Sequence, residues 1–158
     1  MAGYVIHLAI AKKYLEKNDI KDKDAFLSGV IMPDLLDKRS SHYGENTSNP
    51  NLNEFLKANS LDSDYNKGYF LHLVTDYLFY NKFLSRFSED IYHDYNKLNE
   101  FLIRKYNIDI PSEIKQVVDF EDGEPVILDR DSVCEFIDFV ADLDITKKGE
   151  KEPFLDER

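Results

Sequence analysis

Residues 68–83 read GYFLHLVTDYLFYNKF, and this run limits the fold more than any other part of the chain. It is too long for a strand and carries Leu, Val, Phe and Tyr on nearly every side. It therefore predicts a helix, over about 63–87, enclosed by other helices. His72 and Asp76 stand inside it, four positions apart. At 3.6 residues per turn they lie about 40° apart around the axis and point the same way. A buried aspartate is costly unless it is paired or binds a metal. A histidine at i and a carboxylate at i+4 can each offer one ligand atom to a single cation. The competing reading is a self-satisfied pair, with an imidazole N–H donated to the carboxylate.

The neighbouring segments also have helical periodicity. A first helix is predicted over 3–17, with Tyr4, Leu8, Ala11, Tyr14 and Leu15 on one side and Lys12, Lys13, Glu16 and Lys17 on the other. His7 falls near the centre of the apolar arc. A second helix is predicted over 22–31, ending before Pro33 because the residue preceding a proline avoids the helical region. Residues 33–50 then read as a long polar loop, of a kind often tied to function. Further helices are predicted over 51–59, with Asn49 or Asn51 as cap, and over 89–106, 111–119 and 131–143. Residues 120–128 predict a turn and a short extended piece. The expectation is an all-α, single-domain helical bundle over residues 1–150, with a tail at 151–158.

Composition narrows the function classes. Twenty Lys and Arg stand against 31 Asp and Glu, a net charge of −11. Such a balance opposes binding to a nucleic-acid polymer or an anionic membrane. It leaves open phosphoesters held through a bound cation, which can be the largest positive charge in a site. The lone cysteine, Cys134, excludes an intrachain disulfide. The N-terminal run MAGYVIHLAIAKK lacks a basic leader region and a small-residue cleavage site. No apolar stretch reaches membrane-spanning length. A cytoplasmic location is the expectation.

The chain has four histidines: His7, His42, His72 and His93. His93 has polar neighbours and reads as solvated surface. Taken singly, His7 reads as a hydrogen-bonded core histidine, Asp34 in MPDLL as a turn residue, and His42 in SSHYG as exposed. Taken with His72 and Asp76, they form a donor set of three imidazoles and two carboxylates. That set suits Zn2+, and also Mn2+ or Fe2+.

The order of these residues resembles the zinc-dependent phospholipase C family, whose all-helical fold is shared with the fungal single-strand nucleases. The resemblance covers about residues 2–85. It rests on an inward histidine in the first helix (YVIHLAIAKKYL), an Asp after a proline (FLSGVIMPDLL), a loop histidine (SSHYG) and HxxxD in the long helix (GYFLHLVTDYL). It implies a metal site of Asp34, His42, His72 and Asp76, with Asp76 bridging to a second ion that His7 also binds. It further implies metal-assisted phosphodiester hydrolysis, with Asp34 and Asp76 as the catalytic carboxylates and one or two ions. The third-metal ligands of the secreted enzymes have no counterpart after Asp76, where Phe79, Tyr80 and Asn81 follow. The predicted partner is a small phosphoester or a phospholipid. Two other readings fit the residues: an HD-type phosphohydrolase using His93-Asp94, and a non-catalytic helical domain with a structural metal.

Overall fold

The computed structural model describes residues 3–36, 38–44, 46–84 and 88–145. Among these, seven α-helices form the bundle and no residue is in a strand. They are α1 (Tyr4–Lys17), α2 (Lys23–Leu35), α3 (Lys38–Ser41), α4 (Leu52–Ala58), α5 (Asp64–Leu78), α6 (Asp90–Tyr106) and α7 (Arg130–Ala141). A π-helical turn, Phe79–Phe83, extends α5, and a 3-10 turn spans Ser112–Val117. The tail predicted at 151–158 lies outside the described residues.

Several helix starts follow from short polar side chains that take orphan backbone donors. Asp22 accepts from the Ala25 N–H, Asn51 from Glu54, Ser63 from Asn66 and Asp129 from Ser132. Helix α5 is the hub. Every residue from Gly68 to Leu78 is buried, as its unbroken apolar surface predicts. Helix α1 packs on α2, α5, α6 and α7, so His7 also faces the interior.

The α2–α5 contact is the most extensive in the molecule, and two glycines permit it. A Cβ on Gly68 would lie 2.0 Å from the Phe26 carbonyl oxygen, and one on Gly29 would lie 2.1 Å from that of Tyr65. Only backbone fits at that spacing. The same contact face continues along α5 from Gly68 to His72 and Asp76.

Four expectations are corrected. Helix α2 does not end before Pro33 but runs through it to Leu35. Proline removes one backbone donor and crowds the preceding turn. Here it lies in the last turn, buried against the bundle, where packing outweighs the local preference. The segment 33–50 is accordingly no uniform polar loop. It begins in α2, includes the single turn α3, and buries Ser41 and His42. The extended piece expected in 120–128 is absent: this segment is irregular and is held to α6 by side chains. The Asp94 carboxylate accepts from the backbone N–H groups of Val126, Ile127 and Leu128 at 2.7–2.9 Å. The Asn99 amide donates to the Asp119 carbonyl at 2.8 Å. The long helix predicted over 63–87 is regular only to Leu78, and residues 85–87 lie outside the described residues.

Candidate metal centre

Four predicted ligands meet at one point. Asp34 comes from the last turn of α2, His42 from the residue after α3, and His72 and Asp76 from α5. Each offers one atom, and the four atoms lie within 4.8 Å of one another. All four residues are buried, and His42 and Asp76 are wholly so.

The spacing matches that of ligands around an ion. His42 Nε2 lies 3.0 Å from Asp76 Oδ2 and 3.5 Å from Asp34 Oδ1. His72 Nε2 lies 3.1 Å from Asp76 Oδ2 and 3.5 Å from Asp34 Oδ1. A tetrahedral site with metal–ligand bonds of about 2.0–2.1 Å has ligand–ligand edges of about 3.3 Å. An octahedral site at about 2.1 Å has adjacent edges of about 3.0 Å. These four edges span both values, and the four atoms could hold a metal ion.

Proton bookkeeping points the same way. His72 Nδ1 is 2.6 Å from the Val30 carbonyl oxygen, which can only accept. The Nδ1–H therefore donates outward, and in the neutral ring Nε2 presents a lone pair to the carboxylates. The Ser41 hydroxyl donates to the Pro33 carbonyl at 2.7 Å, leaving its oxygen to accept from His42 Nδ1–H at 2.9 Å. Neutral His42 thus also turns its Nε2 lone pair inward. Metal-ligating histidines are typically fixed this way, by a second acceptor on the far ring nitrogen. Both Asp34 oxygens and His72 Nε2 are buried without a hydrogen-bond partner. Such atoms cost free energy unless something answers them, and a cation would answer all three.

Electrostatics express the same demand. Burial opposes a charge on His72, yet the carboxylates of Asp34 and Asp76 outweigh it and hold its pKa up at about 10. Burial also opposes ionisation of Asp76, but His7 and His72 pull its pKa well below the usual range. Asp34 is lowered likewise, with His72 the main force against burial. The cluster keeps its carboxylates charged and draws positive charge to their centre.

His7 stands beside the group of four. Its Nε2 lies 3.0 Å from Asp76 Oδ1, the oxygen turned away from His42 and His72. Its ring stacks on His72 with centroids 3.7 Å apart and planes 5° from parallel. Burial, with the neighbouring His72 charge, lowers its pKa. A neutral His7 can donate to Asp76 through Nε2, which fixes the carboxylate so that Oδ2 faces the other ligands. His93 and Asp94 do not form a joint site. His93 is exposed and bonded to Glu121 at 2.8 Å, while Asp94 is buried and its oxygens take three backbone donors.

The cluster lies beside a surface cleft at Asp34, although the Asp34 carboxylate itself is buried. This residue shares a cleft of about 440 Å³ with Gly3, Tyr4, Tyr92, Tyr95, Asn99 and Asp119. Among the described residues, no Lys or Arg lines it. The roles of Ser41, the Val30 carbonyl and the cleft tyrosines were not evident in the sequence. Ser41 alone had a local cue, since it directly precedes a histidine. No family model, curated protein sequence or solved structure matches this chain.

Proposed function

We propose that the chain is a metal-dependent phosphoester hydrolase of the zinc-dependent phospholipase C type, with a reduced site. The observation that carries this reading is the buried His and Asp cluster with unpartnered atoms, one member of which, Asp34, borders a cleft. Zinc suits a set of two imidazoles and two carboxylates, and Mn2+ or Fe2+ suits it as well. One ion would lie among Asp34, His42, His72 and Asp76. A second ion would use His7 and the outer oxygen of Asp76 in place of the hydrogen bond between them.

When bound, the ion would polarise a phosphoryl oxygen and lower the pKa of water. The chain's own residues position the reaction. Ser41 and Val30 hold the two imidazoles, His7 holds Asp76, and Asp34 turns its buried carboxylate toward His42 and His72. A cleft without cationic side chains among the described residues favours a substrate of low negative charge, a phosphodiester over a terminal phosphate.

A second reading is favoured by one feature: four protein ligands complete a tetrahedral shell, the mark of a structural zinc site. Turnover separates the two. Protein loaded with Zn2+ or Mn2+ should hydrolyse p-nitrophenyl phosphodiesters above the metal-only background, and Asp76→Asn should abolish the gain. Inactivity of verified metal-loaded protein on phosphomonoesters, phosphodiesters and phospholipids would leave the structural reading.

A further inference from the structure

Positive charge is unevenly placed on this acidic chain. A second cleft, of about 570 Å³, lies between α6, the segment 121–123 and the first residue of α7. Lys97, Phe101, Arg104 and Lys105 follow one another at i, i+4, i+7 and i+8, so they share one side of α6. Arg130 joins them from α7. Four basic side chains thus meet in one cavity of a chain with net charge −11, and its volume is that of a small-molecule site.

Basic side chains in the last turn of a helix complement its dipole. That accounts for Arg104 and Lys105, but not for Lys97 in the middle of α6. It accounts still less for Arg130, a cation at the positive end of α7. The lining carboxylates do not neutralise the set. Glu100 pairs with Arg104 at 3.0 Å, and Glu121 is bonded to His93 and Asn96, which leaves Asp122. Among the described residues, Lys97 and Lys105 have no ion pair. Arg130 reaches the exposed Glu124 only at 3.4 Å, and its Nε is buried without a hydrogen-bond partner. The guanidinium lies over the Phe101 ring, 5.3 Å from its centroid, a contact that helps to hold it in place. Gly123, at a φ of +108°, lies against the Lys97 stem, where a Cβ would come within 3.9 Å of Lys97 Cε.

We propose that this cleft binds a small phosphorylated anion, a phosphate monoester dianion, among Lys97, Lys105 and Arg130. The site is separate from the metal cluster and does not depend on the phosphoester reading. Two cations without ion pairs match two negative charges, and a guanidinium with an unused donor suits phosphate oxygens. The ligand is small for an electrostatic reason. A net charge of −11 repels a long polyanion, whereas a small one within about 8–10 Å feels chiefly the local cations.

The test titrates the whole chain, with no metal added, with phenyl phosphate at about pH 8, where a monoester carries about two charges. Backbone amide chemical shifts report the binding. They should saturate and centre on Lys97, Phe101, Lys105, Gly123 and Arg130. Arg130→Gln and Lys97→Gln should each weaken binding by about tenfold. Lys21→Gln removes an exposed cation outside the cleft and should weaken it by less than about twofold. Methyl phenyl phosphate, with the same ring and one charge, should bind about tenfold more weakly. Lys97→Gln and Lys105→Gln leave the start of α7 intact, so they decide the matter if Arg130→Gln does not fold. Absence of saturable shifts in the millimolar range would overturn the proposal, as would shifts centred on His42 and His72. Equal weakening by Lys21→Gln would reduce the effect to general surface charge and overturn it too. So would an oligonucleotide that binds these residues more tightly than phenyl phosphate.

Discussion

Without an ion, His72 takes up the positive charge that Asp34 and Asp76 demand. Its pKa stands at about 10 in the folded chain against an ordinary 6.5. The charged ring therefore stabilises the metal-free fold fully below about 6.5, and that contribution is lost as pH rises through about 10. For Asp34 and Asp76 the sign reverses. Their pKa values are depressed, so their contribution is present above the ordinary 3.8 and is lost as pH falls through the folded values. A ligand histidine must be neutral, so metal entry at pH 7 must displace the His72 proton. Calorimetric titration with Zn2+ in two buffers of different ionisation enthalpy should report release of about one proton per ion. Release near zero would mean that His72 is already neutral or lies outside the ion's shell. At this scale the His72 and Asp76 pair was legible, because two polar residues at i and i+4 in an apolar helix have few explanations. His42 was legible only as one of a set. In its own segment it has polar neighbours, and its burial depends on Tyr69 donating to the Ser41 carbonyl from another helix.

At the scale of elements, the α2–α5 contact sets the site. Asp34 and the Val30 carbonyl ride on α2, and His72 and Asp76 on α5. Gly68 lies one turn before His72 on the same face. Gly68→Ala would place a methyl group 2.0 Å from a backbone carbonyl that cannot rotate away. The helices must then part. The expected cost is about 1–3 kcal/mol in denaturant unfolding, with at least a tenfold loss of Zn2+ affinity as the ligand edges lengthen. Unchanged affinity in a destabilised variant would show that the site does not depend on this contact. Helix existence was legible from periodicity, and Asn51, one of the two expected caps, starts α4. The ends were not. Continuation of α2 through Pro33 and the π-helical turn after Leu78 come from tertiary packing, which no local rule encodes. The 120–128 segment was misread for a related reason. The backbone donors of Val126, Ile127 and Leu128 are taken by Asp94, and that of Glu121 by the Asn96 carbonyl, rather than by a strand.

For the whole molecule, the central feature is a charged cluster inside a hydrophobic core. Buried carboxylates are costly in themselves, and this chain already carries a net charge of −11. An ion that neutralises the cluster should bind the folded chain and not the unfolded one, which couples metal binding to stability. No helix among the described residues is long and apolar enough to cross a membrane. The all-helical architecture was legible as a whole because helix periodicity runs through nearly every segment. The cleft was not legible, since it joins residues of α1, α2, α6 and the segment after the 3-10 turn. The most direct test of the central claim is the metal content of the folded chain after incubation with Zn2+ or Mn2+ and removal of excess. Wild-type protein should retain at least one ion per chain, and Asp76→Asn, matched in shape and still folded, should lose it. A wild-type chain that retains no ion, or an Asp76→Asn chain that retains as much as wild type, would contradict the account.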